Sequence, residues 1–225
     1  MPEIILHQWE VSPFCGKVRR ILALKGLAFS TLEYSGWKIQ QPGKLSAVGK
    51  LPVLEYDGEL VQDSTVIARF LEKKHPEPAL IPKTGMAAHL AHVFEDWADE
   101  SLYWYEVYLR FMYPEAADQA FSIIQRGRPS YEKKLLLLAG TPMMRRKLKE
   151  QGLGRYPREQ VVQQFMEHVE HLEGILSQQP WLVGDAVTIA DVAVASQLAE
   201  VRRTSHLAEA IMRYPSVAAW LQKLG

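Results

Sequence analysis

The side chains best placed to do chemistry stand at the start of the first predicted helix, where Ser12 and Cys15 are three positions apart. Ser12 followed by Pro13 is typical of a helix start, since Ser caps free backbone N–H groups and Pro fits the first turn. A Ser hydroxyl at this point can donate a hydrogen bond to an incoming thiolate, and the helix dipole adds to that stabilisation. This turn is therefore suited to lowering the pKa of a bound thiol.

The energy that such a pKa shift requires is within the reach of these groups. Lowering a thiol pKa by about two units takes roughly 3 kcal/mol. A charge-assisted hydrogen bond contributes about 1.5–3 kcal/mol, and a helix terminus contributes about 0.3–1 kcal/mol. The alternative interpretation is that Ser12 serves only as a helix cap.

Cys15 is the only cysteine in the chain, so it cannot close an intrachain disulfide, and a dithiol redox cycle is excluded. We expect it to be a small buried helix residue, and a reactive redox thiol is the alternative. The lack of a disulfide framework is typical of a protein in a reducing compartment.

A second stretch with ligand-binding potential is Lys50-Leu51-Pro52 before a short strand, followed by Asp63-Ser64 at a helix start. A Pro at the mouth of a strand need not donate to the ladder, and a cis X-Pro bond is found at such tight approaches. A cis bond here would turn the Leu51 backbone outward to pair with an extended peptide. The free N–H groups near Ser64 favour a carboxylate. The stretch therefore suits a small charged peptide, although ordinary strand and helix starts look similar.

Hydrophobic patterning predicts the elements that position these residues. Residues 3–7 form a predicted buried strand, residues 12–26 a helix and residues 28–34 a second strand, which together make a right-handed β-α-β unit with parallel strands. Asp57-Gly58 predicts a tight hairpin between two further strands. A helix beginning at Ser64 completes this α/β part.

The Pro-rich segment at residues 75–82 predicts a domain boundary. No convincing strand follows it, so the sequence predicts an α/β domain over residues 1–77 and an all-helical domain over residues 84–225. Residues 86–112 form one long predicted helix that is crowded with aromatic side chains. Near the C-terminus, Thr188 and Asp191 have the spacing of a capping box at the start of another helix.

Composition excludes several classes of function. The 225 residues carry 26 basic and 26 acidic side chains, and this zero net charge argues against nucleic acid as a partner. The N-terminus lacks the pattern of a secretion signal, and no apolar run approaches the roughly 20 residues of a membrane span. We therefore expect a cytoplasmic protein without a membrane partner.

Taken together, these motifs resemble those of the soluble glutathione transferases, and the resemblance covers nearly the whole chain. It rests on Ser12-Pro13-Phe14, on residues 50–54, on Asp63-Ser64 and on residues 184–191. Ser-Pro-Phe followed by Lys-x-Pro is most similar to the serine-type classes, such as tau and zeta, and to their bacterial relatives. The resemblance implies a thioredoxin-like α/β domain followed by an all-helical domain, and a homodimer.

The resemblance also implies a role for each matching residue. Ser12 would activate the thiol of reduced glutathione, and the Leu51 backbone beside cis-Pro52 would pair with the cysteinyl unit. Asp63 and Ser64 would hold the γ-glutamyl end. The glycine carboxylate would be approached by Lys50, with help from Lys38. A pocket for an apolar or electrophilic small molecule is expected from the aromatic side chains Phe14, Tyr105, Tyr108 and Phe111, which are core residues in the alternative interpretation.

The predicted function is the transfer of glutathione, as a co-substrate and without a metal, to an electrophilic small molecule. One alternative is isomerase, dehalogenase or peroxidase chemistry on the same thiolate. Another is a binding protein of the same fold that has no catalytic activity. An enzyme is favoured because a scaffold has no physical need of the residues that would hold glutathione.

Two further features do not belong to the predicted site. The basic stretch from Arg126 to Arg155 is longer than the usual connection in this family, and part of it is similar to the metaxin-type branch. It is either a solvated face or a site for an anionic partner. The histidine pairs at residues 89 and 92 and at residues 168 and 171 lack accompanying carboxylates, so we expect no metal there.

Overall fold

The computed structural model describes residues 2–34, 43–45, 48–126 and 129–225, and its first part is a small sheet with helices. The strands are β1 (Ile4–Gln8), β2 (Ser30–Glu33), β3 (Val53–Tyr56) and β4 (Glu59–Gln62). The helices of this part are α1 (Pro13–Leu24) and α2 (Ser64–Lys74). The predicted β-α-β unit and the following hairpin and helix are confirmed.

The order and register of the strands bring three loops to one end of the sheet. The strand order is β2-β1-β3-β4, with β1 and β2 parallel and the other neighbours antiparallel. Val53 pairs with His7 on one side and with Gln62 on the other. Because these residues lie at matching ends of their strands, the segments after β1, before β3 and after β4 meet at the same edge.

The second part of the chain is helical in the residues described. Its elements are α3 (Gly85–Trp97), a π-helix (Ala98–Leu102), α4 (Tyr103–Phe111), α5 (Pro114–Ile124), α6 (Ser130–Gln151), a 3-10 turn (Leu153–Arg155), α7 (Arg158–Leu176), α8 (Ile189–Thr204), α9 (Ala208–Met212) and α10 (Pro215–Leu224). The predicted single helix over residues 86–112 is therefore interrupted by a π-helical turn. That the two parts are separate domains stays a prediction.

Helix α8 lies at the centre of the helical part, and its start is fixed by the predicted capping box. Asp191 is fully buried, and its carboxylate accepts hydrogen bonds from the N–H and the hydroxyl of Thr188 at 2.8 and 3.0 Å. The same carboxylate accepts from the N–H of Leu182 at 2.8 Å and from Nε1 of Trp220 at 3.0 Å. One side chain therefore joins α8 to the preceding loop and to α10.

One apolar cluster joins the two parts. Ile189 and Val192 at the start of α8 pack among the buried side chains of the sheet, α1 and α2. No helix within the described ranges is long and apolar enough to cross a membrane.

Candidate active site

Ser12 is the N-cap residue of α1, with φ −84° and ψ 124°, and Pro13 follows it in the first turn. Its Oγ accepts a hydrogen bond from the N–H of Cys15 at 3.4 Å, and its own N–H donates to the Trp9 carbonyl at 3.0 Å. The capping bond is long for a hydrogen bond. Because Oγ acts as the acceptor in that bond, the hydroxyl proton can be donated to a ligand.

Cys15 lies one turn into α1 and is fully buried against Tyr34, Leu51 and Val53. Burial raises the pKa of its thiol to about 11, against the lowering effect of its hydrogen bonds with Ser12 and Trp9. A thiol with this pKa stays protonated near neutral pH and is a poor nucleophile. The expectation of a buried helix residue is confirmed, and these surroundings do not favour a redox thiol.

The peptide bond between Leu51 and Pro52 is cis, as the sequence analysis expected. Because Leu51 packs against Cys15, this bond lies beside the first turn of α1. Lys50, which precedes it, is exposed. Lys38, the other lysine predicted to approach glutathione, lies outside the described residues.

Asp63 and Ser64 form the start of α2 at the same edge of the sheet. The Asp63 carboxylate accepts hydrogen bonds from the N–H groups of Thr65 and Val66 at 3.0 and 3.1 Å. Its backbone has φ 75° and ψ 129°, a conformation that costs a residue other than Gly about 1–3 kcal/mol. Strain of this kind is concentrated at ligand clamps and active sites, so it marks Asp63 as a functional candidate.

A buried ion cluster that the sequence analysis missed lies next to this helix start. The Lys17 ammonium donates to Thr65 Oγ1 at 3.2 Å, to Asp99 Oδ2 at 2.7 Å and to the Glu95 carboxylate. The hydroxyl of Thr65 also donates to Glu95. The cluster joins α1, α2 and the α3–π-helix segment, and it holds two carboxylates for one ammonium. Its one sequence signal was weak, namely the four-residue spacing of Glu95 and Asp99.

The two carboxylates of this cluster have pKa values that shift in opposite directions. Burial raises the pKa of Asp99 to about 6, since the opposing effect of Lys17 is smaller, and the nearby charges of Glu95 and Asp63 raise it further. Burial also acts to raise the pKa of Glu95, but Lys17 and Thr65 outweigh it, so this pKa is lowered. Asp63 contributes to the raised pKa of Asp99. Asp63, Glu95 and Asp99 together outnumber the single ammonium of Lys17, so negative charge is in excess near the start of α2.

Helix α4 provides an aromatic side chain near Ser12, although it is not one of those predicted for the pocket. The ring centroids of Phe14 and Tyr103 are 4.9 Å apart. Burial raises the pKa of the Tyr103 hydroxyl to about 12, with a further contribution from Glu106. The structure therefore brings Phe14 and Tyr103 together beside the Ser12 turn.

The other three aromatic residues predicted for that pocket contact different elements. Tyr105 packs on Phe165 and His168 of α7, with centroid distances of 6.3 and 5.2 Å. Tyr108 is fully buried near Val161 of α7, in a cluster that α6 also joins. Phe111 faces Phe121 of α5 at 6.0 Å. These contacts do not support a pocket role for Tyr105, Tyr108 and Phe111, and that role stays a prediction.

Two family models match ranges of this chain. Residues 6–79 match the model of the glutathione S-transferase N-terminal domain, and residues 155–223 match that of the C-terminal domain. The chain belongs to the glutathione S-transferase family. Residues 80–154 lie between the two matched ranges. They include all of the basic stretch except Arg155.

Individual glutathione S-transferase relatives are distant. The isoprene-epoxide–glutathione S-transferase of Rhodococcus sp. strain AD45 is 27% identical over 197 residues, which cover 85% of this chain and 81% of that protein. The crystal structure of the β-etherase LigF from Sphingobium sp. strain SYK-6 is similar with a TM-score of 0.68 at 23% identity, covering 98% and 94% of the two chains. A Methylobacterium radiotolerans glutathione S-transferase in complex with glutathione sulfonate gives 0.63 at 25% identity, covering 99% and 90%.

In the described part of the chain, the histidine pairs are not grouped with other possible metal ligands. His168 packs between the rings of Trp97 and Tyr105, at centroid distances of 5.4 and 5.2 Å. Among the side chains that the structure describes, no three His, Cys, Asp or Glu residues converge as a metal-binding group.

Proposed function

We propose that this protein transfers reduced glutathione to an electrophilic small molecule and that Ser12 stabilises the glutathione thiolate. The observation that carries the proposal is the position of the Ser12 hydroxyl at the start of α1, beside the cis Leu51-Pro52 bond. The only cysteine of the protein, Cys15, is buried with a raised pKa, so the reactive thiol has to come from the ligand.

An extended tripeptide thiol fits the groups along this edge of the sheet. The backbone of Leu51 pairs with the cysteinyl unit. The N–H and hydroxyl of Ser64, at the start of α2, bind the γ-glutamyl carboxylate, since the next two N–H groups already donate to Asp63. Asp63 attracts the γ-glutamyl amine, because Asp99 and Glu95 exceed Lys17 in charge and make the surroundings negative. Lys50 and Lys38 remain candidates for the glycine carboxylate.

In the proposed reaction the hydroxyl of Ser12 donates a hydrogen bond to the glutathione sulfur and favours its ionised form. The thiol proton passes to solvent, the thiolate attacks the electrophilic carbon, and a carbon–sulfur bond forms. The bond from that carbon to its leaving group breaks; in an epoxide this is the ring carbon–oxygen bond, and the freed oxygen takes up a proton. Phe14 and Tyr103 provide an apolar wall for the second substrate. An epoxide is the first electrophile to test, because a relative bears the name of an isoprene-epoxide glutathione S-transferase.

Calorimetry tests the binding half of this proposal. Wild-type protein should bind reduced glutathione, and Ser64→Ala should weaken that binding because it alters the start of α2 where the γ-glutamyl carboxylate is placed. Ser122→Ala on α5 is a matched control, since its exposed hydroxyl donates only to the backbone of its own helix, at 2.8 Å. No detectable binding at millimolar glutathione would favour a non-catalytic binding protein of the same fold.

A further inference from the structure

Three arginines, each on a different helix, donate hydrogen bonds to the turn that precedes α1, residues 9–12. The carbonyl of Val11 accepts a hydrogen bond from Nη2 of Arg110, on α4, at 2.8 Å. The carbonyl of Glu10 accepts from Nη2 of Arg19 and from Nη2 of Arg203, both at 3.1 Å. These carbonyls belong to the two residues that precede the N-cap residue of α1. Two of the three arginines lie in the helical part.

Arg110 is buried between two buried carboxylates. Glu106, one turn earlier on α4, pairs with Nη2 of Arg110, and Oε2 of Glu200 on α8 lies 3.3 Å from the same nitrogen. Nη2 of Arg203 lies 3.3 Å from Glu200, and its Nη1 lies 3.2 Å from Oε1 of Glu10. An alternating row of carboxylates and guanidinium groups therefore leads from α4 through α8 to the turn.

Burying these charged groups carries a desolvation penalty, so the row is a poor way of stabilising the fold alone. Burial raises the pKa of Glu106 to about 7 against the lowering effect of Arg110, and the charge of Glu200 raises it further. Replacing a buried ion pair by well-packed apolar side chains is often neutral or stabilising by about 1–4 kcal/mol. Apolar side chains, however, cannot donate a hydrogen bond to the carbonyl of Val11.

The capping bond of the Ser12 hydroxyl, from the N–H of Cys15, is 3.4 Å long and therefore holds the hydroxyl only weakly. We propose that Arg110 is a positioning residue for Ser12: its hydrogen bond to the carbonyl of Val11 fixes the turn that carries the Ser12 hydroxyl. This inference rests on the proposed function of Ser12 as the group that stabilises glutathione thiolate. Misplacement of a catalytic group by about 1 Å can cost on the order of 100-fold in rate.

A double-mutant cycle between Arg110 and Ser12 tests the inference. Arg110→Met should lower kcat by about tenfold or more, leave the KM for glutathione within about twofold, and raise the pKa seen in the pH profile of kcat/KM. Arg110→Lys keeps a cationic N–H donor for the carbonyl of Val11 and should recover part of the loss. In a Ser12→Ala background, Arg110→Met should change kcat by less than about twofold. Independent, additive losses would overturn the positioning role.

The matched control for this cycle is Arg126→Met. Arg126 is also near the turn, at 3.5 Å from the Glu10 carboxylate, but its side chain is 71% exposed. It should leave kcat, KM and the pH profile close to those of the wild type. Arg110→Lys keeps the test informative if the methionine variant folds poorly, and circular dichroism checks the fold of each protein.

Labelling of Cys15 with iodoacetamide gives a second readout that needs no activity. Cys15 is the only thiol of the chain and is buried in the first turn of α1. Its labelling rate therefore reports local opening of the start of that helix. Arg110→Met should accelerate labelling by about tenfold, while Arg126→Met should not. Unchanged labelling would overturn the inference. Faster labelling in a protein that does not bind glutathione would refute the proposed function yet support the hold of Arg110 on the turn.

Discussion

At the scale of single residues, Ser12 and Cys15 at the start of α1 differ in their availability to a ligand. Ser12 is 8% exposed at the helix start, and its Oγ accepts a hydrogen bond, so its proton is available to a ligand. Cys15 is fully buried with its pKa raised to about 11. The residue that is chemically more reactive in isolation is therefore the one that burial makes inert. This contrast is why we assign the reactive thiol to glutathione.

The environment of Cys15 leads to a direct prediction. In the folded protein at pH 8 its thiol should react with iodoacetamide at least about 100-fold more slowly than after denaturation, because it is both shielded and protonated. Cys15→Ala should retain glutathione-conjugating activity. Mass spectrometry of alkylated protein measures the first effect. Rapid labelling of the folded wild type would contradict the burial of this thiol.

The raised pKa of Asp99 predicts a pH-dependent stability. Its carboxyl titrates near 3.8 in the unfolded chain and near 6 in the folded protein, so its contribution is fully present below about pH 4 and is lost as pH rises through 6. A shift of this size corresponds to about 3 kcal/mol. The free energy of unfolding of the wild type relative to Asp99→Asn should fall by most of that amount, about 2 kcal/mol, from pH 4 to pH 7.

Urea unfolding of the Asp99 pair at several pH values between 4 and 7 measures this difference. Asp96→Asn is the control, because Asp96 is an exposed carboxyl on the neighbouring α3. A difference between wild type and Asp99→Asn that stays constant with pH would show that Asp99 ionises normally in the folded protein.

Local sequence signals at the site were sufficient where the chemistry depends on neighbouring residues. Ser12 before Pro13 and the cis Leu51-Pro52 bond were predicted from local turn and capping preferences, and both are observed. The cluster of Lys17 with Asp99 could not be predicted in the same way, because the two residues are 82 positions apart and only the packing of α1 on the helical part brings them together.

At the scale of elements, α4 shows why the aromatic pocket was the weakest part of the sequence analysis. Residues two apart on a helix point about 200° apart, so Tyr103 faces Phe14 while Tyr105 faces α7. The π-helix at residues 98–102 also changes the helical phase immediately before this segment. Spacing alone could therefore identify the aromatic helix but could not identify the side that faces Ser12.

The capping box of α8 gives a prediction about stability. Asp191→Ala would leave the buried N–H groups of Leu182 and Trp220 without their acceptor, and each such loss costs about 1–3 kcal/mol. The free energy of unfolding should therefore fall by about 3 kcal/mol or more, which is measurable by urea titration. Asp185→Ala, at an exposed carboxyl of the same loop, should have little effect. Equal stabilities of the two variants would contradict this assignment.

At the scale of the whole molecule, the helical part does more than cover the sheet. It supplies Arg110 and Arg203 to the Ser12 turn and Asp99 to the cluster beside α2. It also contains residues 80–154, where neither domain model matches the chain. Within that range, Leu138 on α6 is exposed, so the helix has an apolar surface of its own.

The exposed apolar side chains of α2 and α3 lead us to predict a homodimer. Val66, Met86 and Val93 are 49%, 71% and 64% exposed, and the bond between Thr65 and Glu95 holds these two helices together. Apolar patches of this kind mark partner interfaces, and a two-fold pair is the commonest arrangement. Light scattering at low micromolar concentration should give about twice the 25.6 kDa mass of the chain.

Val93→Lys should shift this dimer to the mass of one chain, because a charge would be buried in the interface. Leu138→Lys is the control, since it places the same charge on the exposed face of α6. A dimer that is disrupted by Leu138→Lys and not by Val93→Lys would move the interface to α6.

The measurement that tests the central claim most directly is the pKa of the glutathione thiol in complex with the protein, followed by thiolate absorbance. In the wild type this pKa should lie about two units below the ordinary cysteine value of about 8.5. Ser12→Ala should raise it toward that value and lower turnover about tenfold or more, with glutathione affinity nearly unchanged. The account is contradicted if Ser12→Ala leaves the pKa and turnover unchanged while Cys15→Ser abolishes activity.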